Sequence, residues 1–237
     1  NIPLKLAQSI SKVVNAEWES GEFLEKVTPI TKDLLRFWDP KGSFSDLRHF
    51  NFHKGQWQAI LNTIYIHEVL KLKNVQDIYM TINPELLAEM DLLDMQKGKY
   101  SHPKYCIKMA TGTGKTWVMH ALLIWQYLNA KNEETISGDY SKNFLFVAPG
   151  LIVYERLLDA YIGKVQENGQ RDVETSDLKM FEDIFIPDPY RDEIFNFIQS
   201  AICTKEEIGR KTTGTGLLAI TNWHLLVGEQ ETEDEIS

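Results

Sequence analysis

The stretch at residues 110–116, ATGTGKT, combines residue types that can bind the phosphates of a nucleotide. Gly112 and Gly114 let an anion approach consecutive backbone N–H groups that larger side chains would obstruct. Lys115 supplies a compact positive charge for the outer phosphates, and the Thr116 hydroxyl can coordinate Mg²⁺. The sequence therefore predicts a phosphate-binding loop of the Walker A type, with Thr116 as the metal ligand. The predicted nucleotide-binding residues of this loop are Ala110, Thr111, Gly112, Thr113, Gly114, Lys115 and Thr116, of which Lys115 and Thr116 are also predicted to be catalytic.

The letters TGTG recur at residues 213–216, without the features that make a phosphate site. No Lys-Ser or Lys-Thr pair follows Gly216, and the chain continues into the apolar run LLAIT, which is typical of a strand. We predict a turn there. In the first copy, the pattern G-x-x-x-x-G-K-[ST] would place a glycine where the chain has Met109. A Gly/Thr loop that merely precedes a buried helix is the alternative interpretation of the first copy.

The elements around the loop fit a phosphate site. An apolar segment, KYCIKMA at 104–110, is predicted as the strand entering the loop, and an apolar helix follows from residue 115. Strands are also predicted at 143–149 and 217–221, with a helix at 151–162 after the first of them. This alternation of strands and helices predicts an α/β fold with a mostly parallel sheet and helices on both faces.

Other segments are predicted as helices from apolar periodicity and capping residues. These segments are 5–18, 28–40 with Thr28 as its N-cap, 55–72, 83–98 and a helix near 191–202. The polar, turn-rich stretch 163–190 is predicted as a surface insertion.

The composition is that of a globular protein: 237 residues, 43% hydrophobic and 25% charged. No apolar run reaches the roughly 20 residues of a membrane helix, so we expect no membrane partner. Two cysteines far apart fit reduced thiols and a cytoplasmic location. The net charge of −9 gives no global attraction for nucleic acid, so any DNA contact must be local.

Together, ATGTGKT and the upstream FNFHKGQWQAILNTIYIHEVL resemble the Res (motor and nuclease) subunit of type III restriction enzymes and its DEAD/DEAH-type helicase relatives. Phe52 and Gln56 are similar to the adenine-reading element of that family, where methionine before the loop is common. The segments NFLFVAPGLIVYERLL and LLAITNWHLL are similar to its motif Ia and a later strand. At the ends of these strands, Pro149, Gly150, Thr221 and Asn222 are implied DNA-backbone contacts, although strand-to-helix turns and caps explain them equally well.

The resemblance implies an ATP-driven DNA translocase of two RecA-like halves, coupled in full-length proteins to a nuclease. Residues 50–237 would form the first, P-loop RecA-like domain, incomplete at its end, after a helical N-terminal extension at 1–49. ATP and Mg²⁺ are the implied cofactors. DNA and a modification (methyltransferase) subunit are the implied partners.

A glutamine amide can donate to N7 of adenine and accept from its N6 amino group, and this pattern rejects guanine. His53 and Lys54 stand where the family has arginine or aromatic neighbours, so Phe50 or Phe52 would have to stack on the base. Alternatively, Gln56 merely begins a helix.

Hydrolysis needs acidic residues that hold Mg²⁺ and activate water, which in this family are a D-E-x-H motif after an apolar strand. The run Asp234-Glu235-Ile236-Ser237 follows EQETE rather than a strand and lacks the histidine. We therefore expect the motif beyond residue 237 and expect this N-terminal piece to bind ATP without hydrolysing it. Two alternatives are another P-loop enzyme, such as a kinase, and a non-catalytic, nucleotide-gated interaction module.

Overall fold

A computed structural model describes residues 1–72, 74–89, 104–132, 139–211 and 214–224 of the chain. The chain divides into two compact units, Asn1–Leu122 and Leu123–Ser237. In the described ranges, no helix is both long and apolar enough to cross a membrane.

The first unit is helical in its described part. Its helices are α1 (Ile2–Ser20), α2 (Glu22–Glu25), α3 (Pro29–Trp38), α4 (Lys54–Ile64), α5 (Val75–Ile82) and the beginning of α6 (Lys115–Asn132), with 3-10 turns at Ser45–Leu47 and Pro84–Glu89. Thr28 caps α3 by accepting a hydrogen bond from the Thr31 N–H, which confirms the predicted start of this helix. Only the first part of the helix predicted at 83–98 is described, and it is the second of these 3-10 turns.

Aromatic side chains join the first helices to α4. The ring centroids of Trp18 on α1 and Trp57 on α4 are 5.2 Å apart in an edge-to-face arrangement. Phe23 meets the Tyr65 ring, which follows α4, at 5.3 Å. Such contacts add to the stabilisation from buried apolar area. Through them, residues before position 49 share one core with the helix that carries Gln56.

Glu68 is a buried carboxylate that caps a distant helix. It lies in a π-helical turn, Tyr65–Val69, closed by a hydrogen bond from the Leu70 N–H to the Tyr65 carbonyl. Its oxygens accept hydrogen bonds from the Thr28 N–H at 2.5 Å and the Thr31 hydroxyl at 2.7 Å. Negative charge at the positive N-terminus of α3 is favourable.

We expect Glu68→Ala to lower the free energy of unfolding by about 2 kcal/mol, because two buried donors lose a charged acceptor. Denaturant titration followed by tryptophan fluorescence measures the effect. Glu68→Gln should lower the free energy of unfolding by less, since the glutamine amide oxygen still accepts a hydrogen bond from one of the two donors. Removing the exposed carboxylate of Glu19 by alanine substitution is the matched control; a Glu68→Ala chain as stable as this control would refute the capping role.

The second unit contains a small parallel sheet. The strands and helices of the second unit are, in chain order, β1 (Asn143–Ala148), α7 (Leu151–Ile162), β2 (Lys164–Val165), β3 (Arg171–Asp172), α8 (Asp177–Met180), α9 (Glu182–Phe185), α10 (Arg191–Ala201), β4 (Ile202–Cys203) and β5 (Leu217–Asn222), with 3-10 turns at Val173–Thr175 and Asp188–Tyr190. The sheet has the strand order β1-β5-β4, and both pairings are parallel. The predicted strands near 143–149 and 217–221 are confirmed, and so is their parallel arrangement.

Within the described residues, the two faces of β1 differ in how far they are covered. Phe144 packs against Phe197 of α10, and Phe146 packs against Tyr161 of α7. Leu145 and Val147, which alternate with them, are 55% and 42% exposed. In the described part of the chain, the predicted covering by helices is therefore seen on one face of β1.

Two segment predictions differ from the structure. Residues 104–110 form no strand, and their alternating apolar side chains Tyr105 and Ile107 are exposed. The stretch 163–190 is not wholly a surface insertion, because Leu178 and Phe185 are fully buried within its short helices. A few well-placed apolar residues thus anchor a segment whose average composition is polar.

Candidate nucleotide-binding site

The loop before α6 has the backbone of an anion-binding turn. Gly112 and Gly114 have φ angles of 79° and 69°, in the left-handed region that other residues rarely adopt. Helix α6 then begins at Lys115, so its first N–H groups lie at the end of the loop. Thr111, Gly112 and Lys115 are exposed, and Thr116 is half-buried. Backbone donors, a helix N-terminus and a lysine thus come together here.

Hydrogen bonds hold the loop closed on itself. The carbonyl oxygen of Ala110 accepts from the Lys115 ammonium at 2.9 Å and from the Thr113 hydroxyl at 2.7 Å. Among the described residues, Lys115 makes no ion pair, so no carboxylate neutralises its charge. An ammonium held by a neutral carbonyl can exchange that partner for a phosphate oxygen at small cost.

Helix α4 begins beside this loop with an unusual cap. Its N-cap is His53, whose Nδ1 accepts hydrogen bonds from the N–H groups of Gly55 and Gln56, at 3.0 and 3.3 Å. In return, the Gln56 Oε1 accepts from the His53 N–H at 2.9 Å. The two side chains form a reciprocal capping box and fix each other's orientation.

The same two side chains contact the phosphate loop. The His53 Nε2 lies 2.9 Å from the carbonyl oxygen of Thr113, and the Gln56 Nε2 donates to that of Gly114 at 3.2 Å. Gln56 is only 4% exposed. Sequence reasoning named Gln56 but missed His53, because a contact across sixty residues leaves no local pattern.

Both polar atoms of the Gln56 amide are thus engaged within the chain. Each atom keeps a second lone pair or N–H, so these bonds do not exclude adenine, and adenine recognition by Gln56 stays a prediction. Phe52 is 2% exposed and meets the rings of Trp38 and Trp117 edge-to-face, at centroid distances of 6.3 and 6.1 Å, so its ring is not open to a base in this arrangement. Phe50, in contrast, is 60% exposed.

The four implied DNA contacts lie at one end of the sheet. Ala148 is in register with Asn222, so the residues that follow β1 adjoin the end of β5. Pro149 is exposed, and Gly150 is the N-cap of α7. Thr221 and Asn222, however, are 0% and 3% exposed, so neither presents its side chain to a DNA backbone in this arrangement. Residues 234–237 lie outside the described ranges.

His120 lies one turn beyond Thr116 on α6 and is fully buried. Burial lowers the pKa of its imidazole to about 3. The ring is therefore neutral near pH 7 and adds no positive charge to the site. Within the described residues, no group of three or more His, Cys, Asp or Glu side chains is arranged to hold a metal ion.

A family model described as "Type III restriction enzyme, res subunit" matches residues 49–207. Neither curated proteins nor solved structures gave a match to the chain. The matched range contains α4, the phosphate loop, β1 and the N-terminus of α7, whereas Thr221 and Asn222 lie beyond it.

Proposed function

Because the chain belongs to the family of type III restriction enzyme res subunits, we propose that it is the ATP-binding part of a DNA-dependent ATPase and translocase. A domain of this family is a helicase-like ATPase module. The observation that carries the proposal is the loop at the start of α6, with two left-handed glycines and a lysine free of carboxylates in the described chain. In this reading, residues 50–237 belong to the first RecA-like domain.

Each part of the loop has a role in binding the triphosphate. The N–H groups of the loop and of the first turn of α6 donate to the β-phosphate, where the helix dipole also favours negative charge. The Lys115 ammonium leaves the Ala110 carbonyl and pairs with the γ-phosphate. In this exchange the Lys115 ammonium gives up one neutral acceptor, the Ala110 carbonyl, and gains charged phosphate oxygens.

The residues present also fit Mg²⁺. A hard cation of this size keeps water ligands and takes a few further oxygens, usually from the nucleotide itself and a hydroxyl such as that of Thr116. When bound, the ion would neutralise charge that develops on the transferred phosphoryl group. Thr116 follows Lys115 on the first turn of α6, so both groups begin from one rigid element.

For DNA, we propose phosphate-backbone contacts at Pro149 and Gly150. Gly150 begins α7 without a side-chain cap, so the N–H groups of that helix terminus are open to an anion. The net charge of −9 is consistent with binding through backbone donors rather than through a basic surface. The burial of Thr221 and Asn222 does not favour their participation. We further propose that, in the whole restriction enzyme, this ATPase is coupled to a nuclease and has a methyltransferase subunit as its partner.

Calorimetry and ATPase assays test this function. We expect the 237-residue chain to bind Mg-ATP but to hydrolyse it at the rate of a buffer blank, with or without DNA. None of the described residues that directly follow β1 or β5, the two longer strands of the parallel sheet, is an Asp or Glu that could hold the metal or activate water.

A longer chain that includes a D-E-x-H segment should hydrolyse ATP and respond to DNA. Robust turnover by the 237-residue chain would show that Asp234 and Glu235 act as the hydrolytic pair after all. Binding of ATP with no DNA response in the longer chain would favour the nucleotide-gated interaction module instead.

A further inference from the structure

From the contacts of His53 and Gln56 we infer that these two side chains are positioning residues, which aim the phosphate-binding N–H groups of the loop without touching the nucleotide. The inference rests on the proposed function of the loop. It gives His53 a role, and it assigns Gln56 a role other than reading adenine.

The ring of His53 has a defined tautomer. Its Nδ1 faces two N–H donors, those of Gly55 and Gln56, so it must carry a lone pair. The ring proton is therefore on Nε2, which donates to the Thr113 carbonyl at 2.9 Å. One imidazole thus joins the start of α4 to the loop, accepting on one side and donating on the other.

Holding a carbonyl fixes the N–H group of the next residue. A trans peptide is planar, and its C=O and N–H bonds point in opposite directions. When His53 holds the Thr113 carbonyl, the Gly114 N–H points away from α4. The Gly114 carbonyl accepts from the Gln56 Nε2 at 3.2 Å and from the Trp117 N–H at 3.0 Å, and these two bonds together fix the direction of the Lys115 N–H. The two side chains therefore orient two successive donors in the direction from which an anion must come.

These two donors are available for that purpose. No acceptor for the N–H of Gly114 or of Lys115 is found among the described residues, as is usual in the first turn of a helix. Donors fixed in advance bind an anion more tightly than donors that must first be ordered.

Two glycines make room for the contacts. A Cβ atom on Gly114 would stand 2.3 Å from the Gln56 Nε2, which is closer than side chains can approach. A Cβ atom on Gly55 would stand 3.2 Å from the His53 Cε1, which is also tight. The left-handed φ favours glycine at position 114, and a side chain there would also displace the Gln56 amide from its place beside the loop.

The test separates positioning from capping and from base recognition. His53→Asn keeps a good N-cap acceptor for α4 but is too short to reach the Thr113 carbonyl. Gln56→Met removes the amide, and Gln58→Met is the matched control, because Gln58 bonds to Asn62 on the same helix and not to the loop. Calorimetry would measure the affinity of each chain for inorganic tripolyphosphate, ATP and GTP in the presence of Mg²⁺, alongside melting temperatures.

We expect His53→Asn and Gln56→Met each to weaken the binding of all three ligands by the same factor, about three- to tenfold. His53→Asn should keep the melting temperature of the wild type, and Gln58→Met should bind as the wild type does. The ring nitrogen shifts of His53 should report the Nε2–H tautomer. Unchanged tripolyphosphate affinity in both His53→Asn and Gln56→Met would overturn the inference. A loss confined to ATP in Gln56→Met would identify an adenine reader instead.

Failure of the proposed function would look different. A wild-type chain that binds none of the three ligands, or a Lys115→Ala chain that binds them as well as the wild type, would show that the loop is not a phosphate site. That outcome would remove the inference with it. Loss of binding in Lys115→Ala together with wild-type affinity in His53→Asn and Gln56→Met would overturn the inference alone.

Discussion

Lys115→Ala is expected to lower the affinity of the chain for Mg-ATP by about 100-fold or more. The ammonium pairs with doubly charged outer phosphates beside a helix N-terminus, where charge-assisted bonds are strong. A 100-fold loss corresponds to about 2.7 kcal/mol, which is within the range for one buried charged contact. Alanine leaves the loop backbone and its glycines in place, so the loss reports the charge and its hydrogen bonds.

Isothermal titration calorimetry at fixed ionic strength measures this loss. Lys108→Ala is the matched control, because Lys108 is an exposed lysine seven residues before Lys115 and outside the loop. Equal losses in both variants would mean that ATP senses only the general positive charge of this segment. ATP affinity that survives Lys115→Ala would exclude the Walker A interpretation of residues 110–116.

The sequence was sufficient for the local parts of the site. Glycines at 112 and 114, followed by Lys-Thr, predict a left-handed turn running into a helix, and both are present. The apolar runs at 143–149 and 217–221 likewise predict strands from local pattern alone, and both strands are present, as β1 and β5. What these predictions share is dependence on a few adjacent residues.

The wrong or incomplete predictions concern contacts between distant residues. Residues 104–110 have a strand pattern, but a strand exists only where a neighbour supplies hydrogen bonds, and the pattern does not say where that neighbour is. For Phe52, the aromatic type suggested stacking on a base, while in the structure its ring is buried and contacts Trp38 and Trp117. A side chain type indicates what a residue can do, and its neighbours decide what it does.

The same distinction explains the two roles considered for Gln56. Its amide has the donor and acceptor that adenine requires, which is all that a sequence shows. In the structure one of its two acceptor lone pairs is used by the His53 N–H, and one of its two N–H donors by the Gly114 carbonyl. A kinase or another P-loop enzyme would need the same fixed loop, so this arrangement does not by itself choose the reaction. The family match makes that choice, in favour of a helicase-like ATPase.

We expect the stability of the first unit to fall as the pH is lowered from about 6.5 towards 3, because of His120. Its folded-state pKa is lowered to about 3 by burial, whereas an exposed histidine titrates near 6.5. Between pH 6.5 and about 3, His120 is therefore protonated in the unfolded chain and neutral in the folded chain. The stabilisation is complete well above the pKa of the unfolded state and is lost with falling pH, at a rate of at most about 1.4 kcal/mol for each pH unit in this window.

Denaturant titrations at pH 6.5, 5.5 and 4.5, on the wild type and on His120→Leu, isolate this contribution. Leucine fills a similar volume and does not titrate, so every other ionisable group affects both chains alike. The difference in the free energy of unfolding between the two should shift by roughly 2 kcal/mol in favour of the variant between pH 6.5 and 4.5. If the free energies of unfolding of the two chains change equally with pH, the His120 imidazole is protonated or open to water in the folded chain. Water would then reach the side of α6 that carries His120.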